Sequence, residues 1–326
     1  MKLFTHTNKI NNLKNIKSYK LDISSRYDIK KFAKNCLRRD FNDFRLTDLN
    51  FDLSKVLEVI YQNKNFQNPN SLVYKTFKRL LNLRFTLDFF KNKKIKKFLN
   101  LKINFPYIEQ GNISSIHLFG IDELIIFMHY ISSKKKYKKV CDIGANIGLH
   151  SLVLSKCGFK VDSYEPDPDH CNMAKKIFKE NKIKVNLIEK AVSNFSGITE
   201  FTRILNNTTG NYIANKKNSY GPTNKIKVKV VDAKELSGKY DFIKIDAEGS
   251  EYDILSKFTS KDFKKTDFMI EISTSSSRKN LWKIINKKKL KVFTQKISWN
   301  RVNKLEDLPT SHKGGAVFIS SSNSVQ

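Results

Sequence analysis

Arginine is scarce in this chain. Of its 61 Lys+Arg residues, 52 are lysine and 9 are arginine, against 31 Asp+Glu. Phosphate recognition favours the planar, bidentate guanidinium. The formal charge of +30 therefore reads first as solvated surface lysine, and second as a grip on nucleic acid or an anionic membrane. Cysteine is scarce too. Cys36, Cys141, Cys157 and Cys171 show no CxxC spacing and no histidine partner pattern. That argues against a zinc ribbon or a disulfide scaffold, and reduced thiols in a cytoplasmic protein are expected, with no metal site. Long apolar runs are missing altogether, so no transmembrane segment is expected. The opening MKLFTHTNKINNLKNIKS has lysines without the apolar run that a secretory signal needs.

What is present describes a folded chain of one or two domains: 326 residues, 40% hydrophobic and 28% charged. Residues 1–100 hold 23 Lys+Arg and 8 Asp+Glu, a net +15, and the other 226 residues hold 38 and 23, also +15. The first third is thus about twice as basic per residue. Residues 1–25 are polar. Helical spacing then recurs at Ile29, Phe32, Ala33 and Cys36, at Leu53, Val56, Leu57 and Ile60, and from Val73 through Phe89, with a break at NPNS, 68–71. This predicts a basic, mainly helical accessory region over 1–100. A hairpin around Gln110-Gly111 and a helix capped by Asp122 are predicted within 101–136.

From 137 to 326 the texture alternates between strands and helices. Strands are predicted at 138–143, 160–165, 185–190, 240–246 and 267–272, with 290–298 and an antiparallel 315–320 completing the sheet. Helices are expected at 147–157, 168–181, 250–258 and 278–288. This is a Rossmann-like, doubly wound α/β fold with seven mostly parallel strands. TEFTRIL (199–205) and KIKVKVV (225–231) add an inserted hairpin with Lys227 and Lys229 facing out.

Three motifs carry chemistry. VCDIGANIGLHS, 140–151, ends a strand on a carboxylate, turns, and restarts as a helix. Gly144 permits the turn, Gly148 lets the helix pack closely, and Asn146 tolerates left-handed dihedrals. Such a turn is expected to offer free backbone N–H groups to an anionic group. VDSYEPDPD ends the next strand on Glu165, 21 residues after Gly144, where an acid can accept both ribose hydroxyls. YDFIKIDAEGSEYDIL, 240–255, puts Lys244 and Asp246 on one face of a central strand. Charges there need a partner or a wet site. Glu248 follows at the tip, and Ser250-x-x-Asp253 reads as a capping box.

In this order and spacing, DIGANIG, EPDP and IKIDAEGSE, with KAVSNFSGITEF at 190–201, resemble the FkbM family of class I S-adenosylmethionine-dependent methyltransferases. The resemblance spans roughly 137–275, and residues 1–100 show none of it. His150 stands where the family more usually has an aromatic such as Tyr. The resemblance implies S-adenosyl-L-methionine as cofactor. It implies Asp142, Gly144, Ala145, Asn146 and Gly148 around the methionine part, Glu165 and Pro166 at the ribose, and Ala191 and Val192 near adenine. It further implies O-methylation of a hydroxyl on a sugar, glycan or secondary metabolite.

An alcohol is a poor nucleophile while protonated, so a general base is expected to help by about 10²–10⁴-fold. Asp246 is expected to touch cofactor and acceptor, Glu248 to act as base or positioner, and Lys244 to partner both. His150 and Glu271 are further candidates for work at the acceptor, as are Tyr212 and Tyr220 for stacking on a sugar ring. The runner-up reading is a nucleic-acid methyltransferase gripping its substrate with the basic first third, although no NPPY-type motif is present. A dinucleotide oxidoreductase would prefer a G-x-G-x-x-G turn, and a non-catalytic surface-binding protein would not need Asp246 and Glu248. Nothing in the sequence sets the oligomeric state or the identity of the acceptor.

Overall fold

The computed structural model describes residues 52–110, 113–205, 210–213, 222–272, 274–322 and 325. The expected helix at 29–36 and Tyr220 lie outside these residues. The described chain begins with α1 (Leu53–Gln62), capped by the Asp52 carboxylate accepting from the Ser54 and Lys55 N–H groups. Next comes α2 (Leu72–Asn92), capped by Ser71 and ended by Lys93 in the left-handed region. The chain then turns into β1 (Lys94–Phe98) and β2 (Leu101–Pro106), an antiparallel hairpin. This hairpin was not expected. Its strands alternate, with Ile95, Phe98, Leu101, Ile103 and Phe105 buried, but the lysines between them read as more helical surface.

The pair around 110–111 is short: β3 (Glu109–Gln110) against β4 (Ile113–Ser114). Helix α3 (Ile121–Ser132) starts from Gly120, not from Asp122, which falls in its first turn. The Asp122 carboxylate instead accepts from Tyr74 Oη at 2.5 Å and Gln295 Nε2 at 3.0 Å, tying α3 to α2 and to the far end of the chain.

The alternating part follows as β5 (Lys139–Ile143), α4 (Leu149–Lys156), β6 (Lys160–Tyr164), α5 (Pro168–Glu180), β7 (Asn186–Ile188), β8 (Ala191–Ser193), β9 (Gly197–Ile204), β10 (Tyr212–Ile213) and β11 (Thr223–Asp232). It is completed by β12 (Phe242–Ile245), α6 (Glu251–Ser256), β13 (Asp267–Ile270), α7 (Ser275–Lys288), β14 (Val292–Thr294), β15 (Asn300–Arg301) and β16 (Val317–Ile319). Among the described residues the main sheet has eight strands, in the order β15-β14-β16-β13-β12-β5-β6-β7. The expected count was seven. The eighth arises because the chain doubles back after Trp299, so that Asn300 and Arg301 pair antiparallel with β14. Strand β16 is antiparallel to both neighbours. The segments expected as an inserted hairpin, β9 and β11, lie antiparallel, but in a separate four-stranded sheet, β10-β9-β11-β8. Lys227 and Lys229 are exposed there while Val228 and Val230 are buried.

Both faces of the main sheet are covered, as parallel strands require. Val140, Phe242, Met269 and Phe318 face a core shared with α1, α2, α3 and α4; Cys141, Ile243, Ile245, Phe268 and Ile270 face the other way, toward α6 and α7. The first of these cores is aromatic at its centre. Phe119 is fully buried, stacked on Phe85 at 4.8 Å and edge-on to Phe89, Phe98 and Phe105 at 5.6–5.8 Å. Residues on both sides of position 100 therefore share one hydrophobic core.

Candidate active site

Strands β5, β6 and β7 run outward to one side and β12 and β13 to the other. The reversal between β5 and β12 opens a crevice beyond the strands' carboxyl ends. A cavity of about 720 Å³ occupies it, a size ordinary for a nucleotide-sized ligand. Gly144, Ala145, Asn146, Glu165, Pro166, Ala191 and Val192 line it, and so do Lys244, Asp246 and Glu248. The three motifs converge on one space.

Two expected residues are not in the lining. Asp142 is fully buried one layer below, its carboxylate accepting from Ser151 Oγ at 2.6 Å and lying 3.5 Å from Lys244 Nζ. The parallel register sets Lys244 directly beside Asp142, which explains why a lysine is tolerated inside the sheet. Gly148 is also behind the wall, where an added Cβ would stand 2.6 Å from the Phe178 ring. Gly144 is more constrained still. At φ 77 it approaches the next strand so closely that a Cβ would lie 1.8 Å from the Asp246 carbonyl oxygen.

The turn does not offer the free N–H groups expected of it. The N–H groups of Gly144 and Ala145 donate to the Tyr164 carbonyl, and that of Gly148 to the Ala145 carbonyl. Asn146 N donates to Glu165 Oε2 at 2.8 Å, and Ile147 N to the Asn146 side chain at 2.6 Å. Every N–H from 144 to 148 already has a protein acceptor, so the turn is a rigid wall rather than an anion cradle. Glu165 fastens it on both sides, since its Oε1 accepts from Asp167 N at 2.9 Å. His170 Nδ1 also lies 3.5 Å from Oε1; a carboxylate has about four lone-pair sites, so Glu165 keeps capacity for a further hydroxyl.

Charge inside the cavity is centred on Lys244. Its Nζ is 3.3 Å from Asp246 Oδ2 and donates to the Gly144 carbonyl at 3.4 Å. Burial alone would push this ammonium's pKa down, but Asp246, Asp142, Glu123 and Glu271 together raise it. Glu271, at the tip of β13, has its pKa pushed well up by burial, and by Asp246, Glu123 and Glu248. Glu248 sits at φ 45, in the left-handed region that non-glycine residues adopt at a cost. Ser250 begins α6 without the expected capping box. Its Oγ is buried, faces the cavity and has no partner among the described residues. Glu251 takes up the Gly249 N–H instead, at 2.9 Å, and burial raises its pKa to about 7.

Sequence reasoning missed much of the opposite wall. Lys78 comes from α2, Glu123 and Ile126 from α3, and Ser311 and Ala316 from the approach to β16. The second sheet contributes Phe201, Asn211 and Ile213. It is bolted to the Glu165 loop by Arg203, which pairs with Asp167 and Asp169, and by Asn211 Nδ2 donating to Asp167 at 3.2 Å. Tyr212, considered for stacking, is buried in β10 and absent from the lining.

A doubly wound sheet with an acid on its second strand tip and a closed glycine turn on its first defines a nucleoside-binding α/β domain. The comparisons make that specific: residues 142–295 match the methyltransferase FkbM domain. Over these residues, just under half of the chain, the sequence is similar to FkbM-family methyltransferases, which points to S-adenosyl-L-methionine as the cofactor. No curated protein matches the chain. Among solved structures, the chain is similar to the Pyrococcus abyssi tRNA (uracil-54, C5)-methyltransferase bound to S-adenosyl-L-homocysteine, at 10% identity and TM-score 0.36, covering 70% of this chain and 44% of that one. It is also similar to a Podospora anserina methyltransferase bound to S-adenosylhomocysteine, at 11% and 0.34, covering 60% and 77%. A ribosomal protein L11 methylase from Lactobacillus delbrueckii subsp. bulgaricus gives 12% and 0.33, covering 60% and 75%. Likeness this distant says nothing about the acceptor. No described helix is long and apolar enough to cross a membrane.

The cavity fits the cofactor on its own terms. The turn carries no spare N–H donors, the surrounding acids suit a cationic sulfonium, Glu165 retains accepting capacity, and the Ser250 hydroxyl awaits a partner.

Proposed function

We propose that the protein is an O-methyltransferase acting on a hydroxyl of an uncharged sugar, glycan or secondary metabolite. The reading is carried by the acidic lining. Asp122, Glu123, Glu165, Asp246, Glu248 and Glu271 all border the cavity of a chain whose net charge is +30. Carboxylates accept hydrogen bonds from hydroxyls and repel phosphates, and here they outnumber Lys78, Lys190 and Lys244, which disfavours a phosphate-rich acceptor at the site. When bound, the cofactor supplies a methyl group already activated on a sulfonium.

The residues then have to hold, orient and dry the acceptor, an effect worth about 7–11 kcal/mol when reacting atoms are well aligned. In this reading Glu165 and Pro166 hold the ribose, Ala191 and Val192 face adenine, and Gly144, Ala145 and Asn146 wall the methionine part. Asp142 acts from below through Lys244, and Gly148 sets the helix. Asp246 faces both cofactor and acceptor, Glu248 orients the acceptor, and Lys244 fixes Asp246. The described residues 52–100 form an accessory layer on the catalytic domain at 137–326. A cytoplasmic location fits Cys141, Cys157 and Cys171, which are free and buried.

The test is labelled-methyl transfer from S-adenosylmethionine to a panel of neutral glycosides and polyols, with Asp246→Asn as control. Turnover by the native enzyme and its loss in the variant are expected. Full turnover by Asp246→Asn would remove that residue from its role.

A further inference from the structure

The structure gives His150 a setting that a packing residue would not need. It projects from the first turn of α4 into the cavity wall, opposite Glu123 of α3. Tyr130, fully buried on the same α3, places its hydroxyl 3.0 Å from His150 Nδ1. On the other side of the ring, Nε2 is 2.8 Å from Glu123 Oε2. The Tyr130 phenol keeps its proton, because burial and then the charges of Asp142 and Glu123 push its pKa far up. A protonated phenol can donate to Nδ1 or accept from it; when it donates, the ring proton sits on Nε2, facing Glu123.

The Nε2–Oε2 contact, at 2.8 Å, fixes one oxygen of the Glu123 carboxylate. The Glu123 side chain lines the cavity and keeps 26% of its surface exposed, so it remains reachable there. The titratable groups around Glu123 are His150, Lys244, Glu271, Asp122, Tyr130 and Tyr74. Asp246, the alternative acid, is already engaged by Lys244 at 3.3 Å.

We infer that Glu123 is the proton acceptor of the methyl transfer, with Tyr130 and His150 as positioning residues that fix its orientation. This rests on the O-methyltransferase reading above. In the step, the acceptor hydroxyl's oxygen forms a bond to the methyl carbon as the carbon–sulfur bond breaks and its electron pair returns to sulfur. The hydroxyl proton passes to the Glu123 carboxylate. Glu123 lies outside the family-matched residues 142–295, so the base would be supplied by the layer that precedes them.

Two measurements on the full chain test this. The first is ring-nitrogen NMR of ¹⁵N-histidine-labelled protein with S-adenosylhomocysteine added, the His150 signals being assigned by their loss in His150→Gln. A ring protonated on Nε2 alone is expected, with its signals moving in both Glu123→Gln and Tyr130→Phe. Protonation at Nδ1, alone or on both nitrogens, overturns the inference. The second is the pH–rate profile on any hydroxyl probe from the glycoside panel. Glu123→Gln should lower kcat by about 10²–10⁴-fold, leave S-adenosylhomocysteine affinity within about threefold by calorimetry, and abolish the acid limb. Tyr130→Phe should shift that limb, and it carries the test if Glu123→Gln does not fold. An unchanged kcat in Glu123→Gln overturns the inference. A protein that binds S-adenosylhomocysteine yet methylates no hydroxyl in the panel refutes the O-methyltransferase reading instead, and the ring nitrogens then decide the positioning alone.

Discussion

The two walls of the cavity are built by different means. One consists of strand tips and turns from the family-matched segment, where Gly144, Glu165 and Asp246 are held by backbone hydrogen bonds and ladder register. The other consists of side chains projecting from helices, Lys78 from α2 and Glu123 from α3, held in place by an aromatic core around Phe119. A backbone wall admits almost no substitution. A side-chain wall can change its chemistry without moving its scaffold. The first suits a cofactor common to many enzymes, and the second suits an acceptor peculiar to one.

The sharpest way to break this contrast is Gly144→Ala. The new Cβ would collide with backbone at 1.8 Å and at a positive φ, so the turn must shift. Cofactor affinity, read by calorimetry with S-adenosylhomocysteine, should fall by more than about 100-fold, or about 3 kcal/mol. Affinity within threefold of native would show that the turn is not a rigid wall.

Phe119→Ala probes the other side. Deleting a buried aromatic costs about 3–5 kcal/mol, to be read as a lowered denaturant midpoint. Because Phe119 precedes α3, the wall carrying Glu123 should loosen while the glycine turn does not. Acceptor turnover should therefore suffer more than S-adenosylhomocysteine binding, and equal losses in both would argue against separate walls.

The smallest effect concerns Glu251 beneath the backbone wall. Its pKa is raised from 4.5 to about 7 by burial. The folded state thus binds a proton that the unfolded chain has already released, and stability falls as pH rises from about 4.5 to about 7. The difference amounts to at most about 3 kcal/mol. Glu251→Gln should flatten this slope in thermal melts relative to the native chain, and an unaltered slope would show that Glu251 does not titrate in that window.

The backbone wall was largely legible in the sequence, since its residues are contiguous and each strand end carries its motif. The expected strand at 138–143 runs over Lys139–Ile143, and that at 160–165 over Lys160–Tyr164. Asp142 was correctly placed on the first strand, yet only the ladder shows that it lies under Lys244 rather than in the cavity. The spent N–H groups of the turn were equally invisible, because their acceptor is the Tyr164 carbonyl of a neighbouring strand. The helical wall was not legible at all. Glu123 is an ordinary first-turn acid by sequence, and it meets His150, 27 residues later, only because α3 packs on α4.

Local order of the chain determined the alternation of elements, the tight turn at Gly144 and the acid on the second strand, because each depends on neighbouring residues and on a strand or helix period. Which charges meet was decided by the tertiary structure alone. Lys244 with Asp142, Arg203 with Asp167, and His150 with Glu123 are pairs made by register and helix packing. Electrostatic partnership depends on distance in space, and separation along the chain does not encode it.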